Sequence, residues 1–414
     1  MKVCVVGLGS IGLPTAELCA KKGHDVTGID VNPRVVNAIN NGKQPRTDQA
    51  LEYSFRATSE ESALREKEVV LVCVPTESQK GSRTLQVLLQ AVEAIARNVS
   101  KGTLVVVEST VSPGTMENKV IPCFKNATRQ EPEQGILFAH CPERLDMGNP
   151  NWNVENLPRV LGANSKQAQE RAKAFYTSIL SGRIFVVSSL KAAELTKVAE
   201  NTYREINIAY VNELAKLCEK GGVDIVEVIQ GASTKPLGYV PFYPGCGIGG
   251  TCIPAATDFI LQWSRGEQFP LRLVQVAKKI NRGMPKFIIG LLQKEVEEQG
   301  LALTDLRIGI LGIAYKPGIG DTRLSPTLEV VKLLKKKKIA YKAFDPHVRT
   351  SYSAPSISEL LQWSNGLILM TAHSEFKDIE MQIPSSVRVI IDGRNFLSKE
   401  TIGKRGIRYK GIGH

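Results

Sequence analysis

Residues 2–30 read KVCVVGLGSIGLPTAELCAKKGHDVTGID. Residues 2–7 read as a short buried strand, with an apolar run at Val3–Val6. Gly7, Gly9 and Gly12 punctuate the next turn, and a helical pattern then runs to about Lys22-Gly23. A second strand, His24 to Ile29, ends at Asp30. Gly7 permits the tight turn, Gly9 lets the backbone approach a pyrophosphate, and Gly12 lets the helix pack close to the strand with its N-terminus facing the phosphates. The glycines alone are a weak signal. The strand before them, the helix after them, and an acid eighteen residues beyond Gly12 make it a strong one. A carboxylate at Asp30 accepts hydrogen bonds from a ribose diol and repels a 2′-phosphate, so the expected dinucleotide is NAD rather than NADP.

Outward from this unit the chain keeps alternating. Strand-like runs recur at 69–74, 103–108, 136–139 and 184–187, with helical patterns among them, which predicts a doubly wound parallel sheet. From about Leu190 the texture changes. Residues 190–220 keep helical periodicity without glycine or proline, with Leu195, Val198, Ile206, Val211, Leu214 and Leu217 on the apolar face. Another helical block covers 271–299, and an irregular segment rich in Gly, Pro and aromatics lies between, at 231–254. The last third resumes alternation: strands at 307–311 and 340–344, a helix at 326–337, and apolar runs at 367–371 and 387–391. Ile339–Asp345 (IAYKAFD) occupies the place in its unit that His24–Asp30 (HDVTGID) occupies in the first. The full glycine fingerprint is missing there, so a different ligand is expected. The predicted fold class is α/β: an N-terminal Rossmann domain over 1–188, a central all-helical domain over 189–300, and a C-terminal Rossmann-like domain over 301–414.

Composition narrows the function classes. Lys plus Arg is 53 against 41 Asp plus Glu, a net charge of +12, which invites a nucleic-acid reading. The densest run, Lys335–Lys338, follows Leu328, Val331 and Leu334 on one helix face, so it forms a last turn whose cations complement the helix dipole. Scattered basicity suits an anionic small-molecule substrate better than DNA or RNA. No stretch reaches the ~18 apolar residues of a membrane span. The first twenty residues imitate a signal peptide, but their glycines and Pro14 serve the turn and helix, so a cytoplasmic location is expected. The eight cysteines are then expected to be reduced thiols. With no CxxC pair and no His–Cys cluster, no metal site is expected.

Two features point to chemistry. Cys252 closes Gly247-Ile-Gly249-Gly250-Thr251-Cys252, where glycines let the backbone curl round a ligand and leave a thiol accessible as a nucleophile. Lys197 and Asn201 lie four apart on the helix beginning near Leu190, so they share a largely apolar face. A lysine desolvated there is suited to proton transfer or to stabilising an oxyanion.

Ordered motifs along nearly the whole chain resemble the UDP-glucose/GDP-mannose dehydrogenase family. They are Gly7–Gly12 with Asp30, Val74-Pro75-Thr76, Ser109-Thr110-Val-Ser-Pro113-Gly114-Thr115, Cys141-Pro142-Glu143-Arg144, Glu194-Leu-Thr-Lys197 through Asn201, Gly249-Gly250-Thr-Cys252, Tyr315-Lys316-Pro317 through Asp321-Thr-Arg323, and Asp392-Gly393-Arg394. The resemblance implies oxidation of a sugar C6 alcohol to a carboxylate with two NAD per turnover. It implies that Lys197 and Asn201 polarise the C6 oxygen, that Cys252 carries a thiohemiacetal and then a thioester, and that Glu143 and Thr110 position water and nicotinamide. The implied cofactor contacts are Gly7, Gly9, Ser10, Ile11, Gly12, Asp30, Arg34, Pro75, Thr76, Thr110, Glu143 and Arg323. The implied substrate contacts are Glu143, Arg144, Leu145, Lys197, Asn201, Tyr243, Gly249, Lys316 and Arg394. It implies a nucleotide-sugar-binding C-terminal domain and a homodimer paired through the central helices, and neither nucleic acid nor membrane as a partner.

Three departures bear on which branch is meant. The family's usual aspartate four residues after the cysteine is here Ala256; the nearest acid is Asp258. A second glutamate of the UDP-glucose branch is here Met147, and Cys-Pro-Glu-Arg with Asn156-Leu-Pro-Arg159 is closer to the branch oxidising UDP-N-acetylhexosamines. An arginine that this branch tends to carry near Pro236 is replaced by Lys235 and Leu237. The expected substrate is therefore UDP-ManNAc or UDP-GlcNAc, with UDP-glucose, or binding without catalysis, as alternatives.

Overall fold

β1 (Lys2–Val6) runs into the glycine turn, α1 (Gly12–Lys21) follows it, and β2 (Asp25–Ile29) pairs with β1 in parallel. This is the arrangement expected from residues 2–30. The structure, a computed structural model, describes residues 1–76, 85–128, 135–146 and 149–414, so Met147 lies outside the described residues. Packing groups them into two units, 1–200 with 258–267 and 201–257 with 268–414.

In the first unit α2 (Pro33–Asn40), β3 (Arg56–Thr58), β4 (Val69–Val72), α3 (Gln86–Asn98), β5 (Leu104–Val107), α4 (Ile121–Thr128) and β6 (Leu137–His140) continue the alternation. β7 (Arg159–Ala163), α5 (Lys166–Ile179) and β8 (Ile184–Val186) close it. The eight strands lie in the order β3-β2-β1-β4-β5-β6-β7-β8, with only the β6–β7 pair antiparallel. The first six positions are the order of a dinucleotide-binding sheet, whose ligand crevice lies at the C-terminal strand ends. Side chains alternate between two cores, as strand geometry requires. Val3, Val5, Val69 and Leu71 pack in one cluster with Ala16, Cys19, Phe175 and Tyr176; Cys4, Val6, Val70 and Val72 pack in the other with Leu88, Val92 and Ile95. Covering both faces explains why β4 and β5 are buried at every position.

α6 (Leu190–Gly221) is one continuous helix, as its periodicity predicts. From Asn201 onward it belongs to the second unit, with α7 (Ile225–Ser233), most of the first turns of α8 (Cys252–Gly266), and α9 (Arg272–Glu297). β9 (Arg307–Leu311), α10 (Pro326–Lys336), β10 (Ala340–Phe344), α11 (Ile357–Trp363), β11 (Gly366–Leu369), β12 (Val389–Asp392), α12 (Lys399–Gly403) and β13 (Arg408–Gly411) complete it. All five strands are parallel, in the order β10-β9-β11-β12-β13. Val211 and Ala215 of α6, Ile225 of α7 and Met284, Ile288 and Leu292 of α9 share one core with Ile308, Ile310, Ile368 and Ile391 of this sheet. The middle and last segments of the sequence thus fold together here. Each Val, Ile, Leu or Met side chain so removed from water contributes roughly 1.5–3 kcal/mol.

Candidate active site

The glycine turn of the first unit is built to hold a dinucleotide. A Cβ on Gly12 would lie 1.8 Å from the Gly7 carbonyl oxygen, and Gly7 has φ +89 with Cys73 and Val74 against it. A Cβ on Gly9 would meet nothing, so the turn is closed on its inner side and open outward, and Ser10 and Ile11 are half-buried beside it. Asp30 Oδ2 accepts the Leu8 N–H at 2.9 Å and Oδ1 accepts the Asn32 N–H at 2.9 Å, which pins the turn while leaving the carboxylate half-buried. Arg34 is exposed in the first turn of α2. After β4, Pro75 is exposed and Thr76 donates its hydroxyl to the Thr110 carbonyl at 2.8 Å. Ser109 likewise donates to the Val74 carbonyl at 2.7 Å. These bonds tie the loops after β4 and β5 at the end of the sheet where a dinucleotide binds. The residues present fit NAD.

Glu143 follows β6. Its Oε1 accepts the N–H groups of Arg144 and Leu145, both at 2.6 Å, and its Oε2 is paired with Arg159, fully buried like Glu143 itself. Arg144 is held by Glu200 at 2.8 Å and by the Pro158 carbonyl. Beside this pair, burial pushes the Glu108 carboxyl up, against the pull of Arg159; Tyr176 donates to it at 2.6 Å. Glu143 is thereby held in one orientation, each carboxylate oxygen having a partner.

Lys197 and Asn201 are 8% and 7% exposed, so the desolvation expected from their helix face is present. Three residues before Lys197, the buried Glu194 carboxylate accepts the N–H groups of Gly114 at 2.5 Å and Met116 at 2.7 Å. It clasps the loop that carries Thr110 to α6. Burial pushes this carboxyl up to about 7, opposed by those two N–H groups and by Lys191 and reinforced by Glu117. A carboxyl raised by folding stabilises the fold fully below its unfolded value and ceases to do so as pH rises through its folded value. Glu194→Gln is thus expected to flatten the loss of stability between about pH 4.5 and pH 7, on the order of 3 kcal/mol. Urea unfolding of both proteins at pH 5 and pH 8 checks it; equal pH dependence in the two would refute it.

In the second unit Cys252 is the first residue of α8 rather than part of an irregular loop. Its thiol side chain is exposed, whereas Cys4, Cys141 and Cys246 are buried and pushed up to about 12, about 12 and about 11. Asn201 Nδ2 donates to the Cys252 carbonyl at 3.3 Å. The loop before Cys252 is threaded through close quarters. A Cβ on Gly249 would lie 2.4 Å from Tyr315 Cβ, one on Gly250 would strike the Tyr315 ring at 2.7 Å, and one on Gly245 would lie 2.4 Å from Arg394 Nη1. Gly250 N–H donates to the Arg323 carbonyl at 2.8 Å. Arg323 Nε donates to both oxygens of Asp321 at 3.0 Å, while Arg394 Nε donates to the Met370 carbonyl at 2.8 Å. Lys316 is half-buried next to Tyr315, and Tyr243 is exposed. Tyr315, Arg323, Arg394, Gly249 and Cys252 are thus gathered in one region of this unit.

Asp345, the counterpart of Asp30, is spent inside its own turn. Its Oδ2 accepts the N–H groups of Ile313 and Ala314 and lies 3.0 Å from His373 Nε2. Burial acts to raise it, but these partners with the His347 N–H outweigh it and hold the carboxyl down, to about 2. No ribose can be read by a carboxylate so enclosed, in line with the expectation of a different ligand. His347, His373 and Glu375 gather nearby, with the His373 ring nitrogens engaged by Asp345 and by the Gly318 N–H.

Sequence inspection assigned no role to Arg159, Glu194, Glu205 or Asn281. Glu194 and Glu205 carry one usable signal, their spacing of three before Lys197 and four after Asn201 on one helix. Arg159 and Asn281 have none, because their partners are distant in the chain.

Residues 1–180 match the NAD binding domain of the UDP-glucose/GDP-mannose dehydrogenase family, 191–283 its central domain, and 309–399 its UDP binding domain. A UDP-N-acetyl-D-mannosamine dehydrogenase of Pyrococcus horikoshii is 34% identical over 100% of this chain and 99% of its own. An NDP-N-acetyl-D-galactosaminuronic acid dehydrogenase of Ralstonia nicotianae is 30% identical over 97% of both chains. A solved structure of a UDP-D-ManNAc dehydrogenase from Pyrococcus horikoshii superposes with a TM-score of 0.92 at 33% identity, covering 100% of this chain and 99% of that one. Among the described residues no helix is long and apolar enough to cross a membrane.

Proposed function

The chain belongs to the UDP-glucose/GDP-mannose dehydrogenase family, an NAD-dependent oxidoreductase of nucleotide sugars, and from that premise we propose that it oxidises the C6 hydroxyl of a UDP-N-acetylhexosamine to the uronate with Cys252 carrying the intermediate. The observation that carries this is an exposed thiol heading α8 with Asn201 bonded to its carbonyl, four residues along α6 from a buried lysine. NAD supplies the hydride acceptor and is consumed twice. Lys197 and Asn201 stabilise charge on the C6 oxygen as its proton leaves. The Cys252 thiol adds across the aldehyde carbonyl to give a thiohemiacetal, loss of a hydride to the nicotinamide and of the hydroxyl proton to solvent leaves a thioester, and water releases the carboxylate and restores the thiol. Thr110 and Glu143 orient nicotinamide and water. Arg144, Leu145, Tyr243, Gly249, Lys316 and Arg394 hold the sugar and diphosphate, and Arg323 reaches a cofactor phosphate. The reaction takes place in the cytoplasm. The test is to incubate the protein with NAD and UDP-ManNAc, UDP-GlcNAc or UDP-glucose and weigh the products. Uronate from an N-acetylhexosamine is expected; uronate from UDP-glucose alone would overturn the substrate assignment.

Thioester hydrolysis limits turnover in this proposal. Ala256 offers no base and is buried. Asp258 is six residues from Cys252 along a regular helix, about 240° round from it. Both Glu143 oxygens are engaged. Losing one positioned base costs on the order of 10²–10⁴ in rate. Hydroxylamine, which attacks thioesters without help, is expected to accelerate NADH release and yield the sugar hydroxamate; an unchanged rate would remove this step as limiting.

Two chains pair through α6. Tyr203, Tyr210 and Leu217, seven apart and therefore on one side of the helix, are each more than half exposed. Light scattering is expected to return the mass of two chains and, for Leu217→Glu, of one; a wild-type monomer would count against pairing.

A further inference from the structure

Behind Asn201 and Cys252 lies a buried polar network. Asn281 of α9 donates through Nδ2 to the Glu205 carbonyl at 3.0 Å and to Glu205 Oε1 at 2.9 Å. Its Oδ1 accepts from Asn212 Nδ2 at 2.9 Å, and Asn212 Oδ1 accepts the Gly245 N–H at 2.9 Å. Thr257 of α8 donates to Glu205 Oε2 at 3.2 Å. Glu205, Asn212, Thr257 and Asn281 are all buried. Pro285, four residues beyond Asn281 in α9, lacks the N–H that would bond the Asn281 carbonyl. Gly247 (φ +117) approaches that carbonyl so closely that a Cβ would lie 2.9 Å from it.

Asn201–Cys252 and Glu205–Thr257 are successive contacts between the same two helices, one turn apart on α6. The segment leading to Cys252 is held at Gly245 by Asn212 and packs at Gly247 directly against the Asn281 backbone. A shift of any of these elements by one turn would strand several buried donors and acceptors at once, so the bonds select one alignment as apolar packing would not.

We infer that Glu205, Asn212 and Asn281 are positioning residues, a buried brace that sets the head of α8, and Cys252 with it, against Asn201. The inference rests on the proposal above that Asn201 and Cys252 act on one reacting carbon. Asn281→Leu strands both Glu205 and Asn212 and is expected to unfold, so Thr257→Val, which removes one hydroxyl at constant shape, carries the test, with Thr257→Ser as the rescue. The readouts are kcat and KM on the accepted UDP-sugar, the rate of Cys252 alkylation by iodoacetamide followed by peptide mass with no substrate present, and the melting temperature. In Thr257→Val, kcat is expected to fall about tenfold with KM for NAD unchanged, and the alkylation rate to change about threefold, since misplacing reacting groups by fractions of an ångström costs rate on this scale. Thr257→Ser is expected to restore both. A lowered melting temperature with wild-type kcat, or with a wild-type alkylation rate, would make the network structural only and overturn the inference. Should no UDP-sugar be oxidised by the wild-type protein, the functional proposal fails while the alkylation rates still decide the brace.

Discussion

Cys252→Ser is expected to bring uronate formation to background while the first hydride transfer survives. A serine hydroxyl at neutral pH is a far poorer nucleophile than a thiol or thiolate, so the aldehyde is not captured. The first oxidation needs the C6 oxygen polarised and its proton removed, and neither task belongs to the sulfur. Cofactor binding is also expected to be untouched, because the substitution exchanges one atom of an exposed side chain and leaves the glycine turn and Asp30 as they are. Stopped-flow absorbance is expected to show at most one NADH per active site in the variant against two in the wild type, with no acid in the product mass spectrum. Acid production at the wild-type rate would refute covalent catalysis.

Lys197→Met is expected to fail one step earlier. The side chain keeps its apolar stem but loses the ammonium, and the buried setting that makes the charge effective also bars water from replacing it. The negative charge that builds on the C6 oxygen as its proton departs then has only Asn201 to stabilise it. A loss of about 10²–10⁴ in kcat is expected, with KM for NAD unchanged. Lys197→Arg is not expected to rescue, since a planar fork cannot stand in for a point donor. The two variants therefore part in the same burst experiment: serine keeps the first equivalent of NADH and methionine loses it. A full first burst from Lys197→Met would show that the ammonium is not needed for the first oxidation.

Legibility in the sequence tracks how local each cause is. The Gly7–Gly12 turn, Asp30 and α6 are set by spacing and by residues within a few positions, and stand where expected; of the run at Lys335–Lys338, Lys335 and Lys336 lie in the last turn of α10 while Lys337 and Lys338 lie in the turn beyond it. Cys252 was readable as accessible, because glycines crowd before it, but not as the head of a helix. β7 and α5 escaped notice; α5 is mostly polar, with five buried side chains, so its periodicity is faint. The pairing of the central helices with the C-terminal sheet depends on which apolar faces meet, and no window of sequence contains that information. The same holds for Glu143 with Arg159 and for Glu205 with Asn281, the latter 76 residues apart. Leu217, placed on an apolar face by its spacing, is exposed, because the stripe on a long helix drifts and serves more than one neighbour.

The covalent step can be caught directly. Protein turning over with NAD and the accepted UDP-sugar is quenched in acid within milliseconds and digested, and the peptide bearing Cys252 is weighed. A mass increase equal to the uronyl nucleotide sugar, confined to Cys252 and present through the steady state, is the predicted result. Uronate accumulating while that peptide stays unmodified at every time point would contradict it.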